Sequence, residues 1–121
     1  MTVDVYARNC PSRQVLDRIG DTWSVLIILA LAHGTRRYSE LAARIEGISP
    51  KMLTQTLRAL ERDGLITRTV HPVVPPRVDY DLTKLGISLL DLVGALEGWA
   101  QTHMEDVIAA RATYDERAAQ S

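Results

Sequence analysis

Apolar and polar positions alternate along this chain with a helical period in some stretches and a period of two in others. The best-marked stretch runs from Ile48 to Gly64. Leu53, Leu57 and Leu60 recur at i, i+4 and i+7, which places them on one face of a helix. Lys51, Thr54, Gln55, Arg58 and Arg62 share the opposite face. Both ends carry signals: Ser49 suits the N-cap, Pro50 the first helical position, and Gly64 the left-handed residue just past the end.

Residues 1–9 show no strong pattern and read as an arm. Pro11 opens a helix with Val15, Leu16 and Ile19 on its apolar side and Gly20 at its end. Asp21 or Thr22 then caps a second helix, Trp23 to His33, almost wholly apolar and so the centre of the core, and Gly34 terminates it. Ser39 caps a short helix, Glu40 to Glu46, with Leu41 and Ile45 inward, and Gly47 and Ile48 turn the chain into the helix described first. Two short helices joined through a glycine turn predict a helix-turn-helix at about residues 39–63.

After Gly64 the period becomes two. Leu65 to Val70 is rich in β-branched residues, and Val78, Tyr80 and Leu82 alternate with Arg77, Asp79 and Asp81, which predicts two antiparallel strands. Pro72, Pro75 and Pro76 stiffen the loop between them, so the hairpin is a wing at about residues 65–82. From Thr83 the helical period returns until about Ala112. A helix of about 28 residues is ~42 Å long, more than so small a domain can cover. Gly94 and Gly98 are places where it bends or divides. Its apolar stripe, with Leu89, Leu92, Val93, Leu96, Trp99 and Met104, needs a second surface. The same helix of another copy is the simplest supply, and folding back on the chain's own domain is the alternative. Residues 113–121 are polar and read as frayed. The fold class is therefore mainly α with a small β-hairpin (α+β): one winged helix-turn-helix domain over residues 1–121, ending in a dimerisation helix at about 83–112.

Charge sharpens this picture. The net charge is only −1, against a generally basic nucleic-acid binder, yet residues 36–77 hold eight basic and four acidic side chains and net +4. Positive charge is gathered where a polyanion could use it. On the exposed face of the Ile48–Gly64 helix, Gln55 suits adenine, Arg58 or Lys51 suits guanine, and the Thr54 methyl suits thymine. Ser49, at a helix N-terminus beside Pro50, can also touch phosphate. Arg36, Arg37 and Arg62 are expected on the phosphate backbone. Arg77, beside the proline loop, is expected in the minor groove or along the backbone, or else as a cross-strand partner for an acidic residue.

The single cysteine, Cys10, excludes an intrachain disulfide and fits a reducing cytosol. Arg8, Arg13 and a helix N-terminus lie near it, an arrangement that activates a thiol if it is exposed; the plainer reading is a small residue at a dimer seam. Trp23 and Trp99 read as core and interface residues. His33, His71 and His103 lie far apart without metal-ligand spacing, and no phosphate loop, nucleophile elbow or close carboxylate pair is present, so no cofactor, metal or catalytic role is expected. The longest apolar run, Val25 to Ala32, is too short to span a bilayer and no secretory signal opens the chain, which predicts a cytoplasmic protein with no membrane partner.

Cys10–Pro11, LDRIGDTW (Leu16–Trp23), RRYSEL (Arg36–Leu41), GISPKMLTQTLRALERDGLITR (Gly47–Arg68) and PPRVDYDLTKLG (Pro75–Gly86) together resemble the HxlR family of winged-helix transcriptional regulators, related to the MarR group. The resemblance covers about residues 8–100. It implies a homodimeric regulator whose two recognition helices enter successive major grooves of a pseudo-palindrome, with N- and C-terminal helices making the dimer. It also implies a cysteine at the place of Cys10, through which some members sense oxidants or electrophiles. One departure is Thr22, where the family often has Lys or Arg just before the Trp, placed to meet a phosphate; the resemblance implies a backbone contact there that Thr22 can make through its hydroxyl but without a charge. The expected function is thus sequence-specific, homodimeric regulation of transcription on a double-stranded operator, with a small ligand or an electrophile at Cys10 as effector. The alternative is a winged-helix module for protein–protein interaction whose basic face docks an acidic partner.

Overall fold

A computed structural model describes Asp4 and residues 6–120. The remaining residues of the expected arm, and Ser121, lie outside the described residues. The chain forms two compact units, Met1–Leu90 and Asp91–Ser121.

In the first unit the elements run α1 (Pro11–Gly20), α2 (Thr22–Leu31), β1 (Arg36–Arg37), α3 (Tyr38–Arg44), α4 (Pro50–Arg62), β2 (Ile66–His71), β3 (Arg77–Leu82) and α5 (Lys84–Ser88). Asp21 is the cap of α2: its carboxylate accepts from the Trp23 backbone N–H and from Ser24 Oγ. The helix ends at Leu31, two residues earlier than the expected end at His33, and Gly34 follows with φ +118°. The third helix also starts early. The Arg37 N–H donates to Glu40 Oε1 at 2.9 Å, so Glu40 closes the first turn and Ser39 lies inside the helix instead of capping it.

Ile27, Ile28 and Leu31 of α2 pack with Leu41 and Ile45, with Leu53, Leu57 and Leu60 of α4, and with Leu65, Ile66 and Tyr80. The core is aliphatic with one buried tyrosine. Burial of a side chain of this size contributes roughly 1.5–3 kcal/mol, so the three leucines of α4 fix which way that helix faces.

The hairpin is a three-stranded sheet of order β1-β3-β2. The added strand is the Arg36–Arg37 pair, whose backbone is antiparallel to Tyr80 and Asp79. Ile66 pairs with Leu82, Arg68 with Tyr80 and Val70 with Val78, so these six share one face, the face that carries the buried Ile66 and Tyr80.

The C-terminal region differs from the single helix ending near Ala112. The break falls at Leu89, where the N–H reaches back to the Gly86 and Ile87 carbonyls, and not at Gly94 or Gly98. Leu89 and Leu90 pack against the core cluster, which the tightened turn permits. The second unit is essentially one helix, α6 (Leu90–Gln120). Residues 113–120 are helical: Ala, Glu and Arg favour helix, and polarity alone does not fray a segment rich in them. Among the described residues no helix is long and apolar enough to cross a membrane.

A Cβ added to Gly86 would lie 2.1 Å from the Leu65 carbonyl oxygen and 3.0 Å from Leu82 Cδ2, whereas one on Gly20 meets nothing within 4 Å. Gly86→Ala is therefore expected to destabilise the chain by about 1–3 kcal/mol through overpacking. Gly20→Ala should leave stability within about 0.5 kcal/mol of the parent. Urea denaturation of the two variants checks the contrast.

Candidate nucleic-acid interface

The interface is built around α4. Ser49 Oγ accepts from the Met52 N–H at 3.1 Å, and Pro50 holds the first helical position, where its missing N–H costs nothing. Gly47, at φ +87°, makes the turn from α3, and Gly64, at φ +76°, ends α4. Buried Leu53, Leu57 and Leu60 leave Lys51, Gln55, Arg58 and Arg62 exposed on the other side. Thr54 is half-buried and held by Tyr38, whose phenol lies 3.4 Å from Thr54 Oγ1 and donates to the Pro50 carbonyl at 3.1 Å.

The hairpin sets a second wall beside this helix. Arg68 and Tyr80 of the sheet line one groove with Tyr38, Thr54, Arg58 and Glu61. A second cleft lies between the start of α3 and the wing loop, lined by Arg37, Tyr38, Ser39 and Val73–Val78. Among the described residues Lys51, Arg58, Arg62 and Arg68 take part in no ion pair. Their charge is thus not taken up by an ion pair among the described residues and is available to an anion.

The other expected contacts are placed as follows. Thr22 is exposed at the first position of α2. Arg36 is half-buried in β1, its guanidinium turned to the Thr35 carbonyl at 3.4 Å, and Arg37 is exposed. Arg77 is the least free of the cations. Its Nε is buried and lies 3.5 Å from Asp79 Oδ1 on the same strand, while His71 Nε2 lies 2.8 Å from the other Asp79 oxygen. Its acidic neighbour is therefore along its own strand rather than across the sheet. The wing tip is apolar: Val73 is half-exposed and Val74 fully exposed.

Two residues that belong with this surface were not singled out from sequence, Arg68 and Tyr38. The signal for Arg68 was its pairing with Tyr80, which depends on strand register. For Tyr38 it was a polar-tipped aromatic just ahead of the helix-turn-helix.

Cys10 is buried, at 9% exposure, as the N-cap residue of α1, and its side chain makes no capping bond. The exposed thiol considered above is not what the chain presents. At its other end α1 is linked to α4, with Arg18 Nε donating to Asp63 Oδ2 at 3.0 Å. On α6, Leu92, Leu96, Trp99 and Met104 are exposed, and the Trp99 and His103 rings lie 4.9 Å apart. Val93 is buried and Leu89 is half-buried, so these two add less to the exposed stripe than their spacing suggests.

Residues 18–108 match the family model described as HxlR-like helix-turn-helix. The chain belongs to the HxlR family. It is 47% identical over 116 residues to the HTH-type transcriptional regulator YtfH of Escherichia coli (strain K12), covering 96% of this chain and 90% of that one. Among solved structures, ytfH from Salmonella typhimurium superposes with a TM-score of 0.84 at 45% identity, covering 92% of this chain and 99% of that one. The redox regulator HypR in its oxidized form gives a TM-score of 0.71 at 35% identity, over 77% of this chain and 96% of that chain. This HxlR chain is a winged helix-turn-helix transcriptional regulator.

The Ser49 cap supports the helix on which the interface is built. Ser49→Ala should lower the unfolding free energy by about 1 kcal/mol, and Ser49→Gly by only roughly a few tenths. Chemical denaturation monitored by circular dichroism reads both.

Proposed function

We propose that this protein represses or activates transcription as a homodimer that places two copies of α4 in successive major grooves of a pseudo-palindromic operator. The observation that carries this reading is the set of side chains that pair with no charge among the described residues and share one surface: Lys51, Gln55, Arg58 and Arg62 on α4, with Arg68 on the adjoining strand. Gln55, Arg58 and Lys51 can satisfy base edges, and the Thr54 methyl can meet thymine. Ser49, Pro50, Thr22, Arg36, Arg37, Arg62 and Arg68 are assigned to the phosphate backbone, where they set register and salt dependence. Arg77 is assigned beside the wing loop along the backbone, its reach shortened by Asp79.

The dimer is assigned to the exposed stripe of α6, where Leu92, Leu96, Trp99 and Met104 would otherwise face water. A cytoplasmic protein with so many exposed apolar side chains on one helix is most simply completed by a second copy. Docking of an acidic protein partner on the α4 face is the rival use of the same charges, and no observation favours it over DNA.

A second reading concerns the signal. The likeness to oxidized HypR favours a response to oxidants through Cys10. Because the thiol is buried, α1 must shift before the sulfur can react. Diamide treatment followed by mass spectrometry, with Cys10→Ser as control, should show a modified thiol. An unmodified Cys10 would remove this reading.

Gel shifts with DNA from around the protein's own gene, at several salt concentrations, test the main proposal. Saturable, sequence-dependent binding that weakens as salt rises is expected. Arg58→Ala should cost about 1–3 kcal/mol and relax preference at one position per half-site. Arg68→Ala should weaken all sites alike and reduce the salt slope by about one. Sedimentation should report a dimer, and a Leu92→Glu, Leu96→Glu double variant should be monomeric with loss of operator binding. Equal affinity for all sequences at every salt concentration would sink the operator reading.

A further inference from the structure

Thr54 and Thr56 stand two residues apart in α4 and use their hydroxyls differently. Thr56 Oγ1 donates to the Met52 carbonyl four residues back, at 2.7 Å, the ordinary bond for a threonine inside a helix. The corresponding acceptor for Thr54 is the Pro50 carbonyl, and the Tyr38 phenol occupies it at 3.1 Å. Thr54 Oγ1 lies instead 3.4 Å from that same phenol oxygen. A carbonyl cannot donate, so the one phenolic hydrogen belongs to the Pro50 bond. Either hydroxyl could donate across the 3.4 Å contact, and with the phenolic hydrogen on Pro50 the donor there is Thr54.

We propose that Tyr38 is a positioning residue that sets base preference by engaging the only hydrogen Thr54 could donate. Thr54 is left to present its methyl group and an acceptor lone pair. This rests on the reading of α4 as the helix in the major groove. The consequence is a defined filter. A methyl favours the C5-methyl of thymine. An acceptor suits the amino groups of adenine and cytosine. Guanine offers only the acceptors N7 and O6 along its major-groove edge and finds no donor at Thr54. The base facing Thr54 is therefore selected by a side chain on α4 whose hydroxyl is set from α3, and guanine is the base excluded.

The test is selection from a randomised DNA library by the full-length protein and three variants, followed by binding measurements on single-base substitutions. Thr54→Ser, which removes the methyl, should lose about fourfold of discrimination at one position per half-site, the fold-change expected for one buried methyl. Thr54→Val keeps a methyl but removes the acceptor along with the donor, so it should retain thymine and still exclude guanine while losing the preference for adenine or cytosine there. Tyr38→Phe keeps the ring and frees the Thr54 hydroxyl to donate to DNA. It should change preference at that same position, with guanine newly tolerated, and at no other. A Tyr38→Phe profile identical to the parent, or altered across the whole half-site, overturns the proposal. So does acceptance of guanine by Thr54→Val, a result that can be read even where Tyr38→Phe does not fold. A parent protein that selects no sequence at all removes the operator reading and this inference with it, which separates the two failures.

Discussion

Three leucines hold the cationic face of α4 in place. Leu53, Leu57 and Leu60 are essentially fully buried against α2, α3 and the sheet. A helix turns by about 100° per residue, so fixing those three fixes the azimuth of every other residue on α4. Lys51, Gln55, Arg58 and Arg62 face outward because Leu53, Leu57 and Leu60 cannot. The cost of exposing three aliphatic side chains exceeds anything gained by re-aiming a charged one. The chemistry of the surface is thus subordinate to the packing behind it.

The ends of α4 are held as firmly as its middle. Ser49 and Pro50 begin it, Gly64 releases the chain at φ +76°, and Leu65 and Ile66 re-enter the core at once. The hairpin consequently leaves α4 at a defined point, and its register brings Arg68 and Tyr80 onto the face that borders the helix. Helix and sheet form a two-walled groove, with positive side chains on both walls and an apolar loop beyond.

What could be read from the residues in order was whatever has a local period or a local cap. The α4 helix, α1 and the two longer strands fall in that class, as does the family resemblance carried by the Gly47–Arg68 and Pro75–Gly86 segments. What could not be read depends on partners distant in sequence. The two residues of β1 have no period, and only pairing with Tyr80 and Asp79, more than forty residues on, makes them a strand. The first turn of α3 is closed by the Glu40 carboxylate, a local rival that displaces Ser39 as the cap. The break at Leu89 follows from core packing of Leu89 and Leu90, whereas the glycines that suggested a break sit in open space within an uninterrupted helix. The burial of Cys10, the tether on Arg77 and the place of Arg68 are likewise tertiary facts.

The Arg18–Asp63 bond joins a residue near the end of α1 to the residue that closes α4. Both side chains are about one-third exposed, and a pair in such a setting holds with no more than about 1 kcal/mol. It behaves as a fuse in the linkage between the cysteine-bearing helix and the groove-facing one. So weak a bond would yield to a displacement of α1 before the burial of Leu53, Leu57 and Leu60 gave way, so α1 could move without unseating α4.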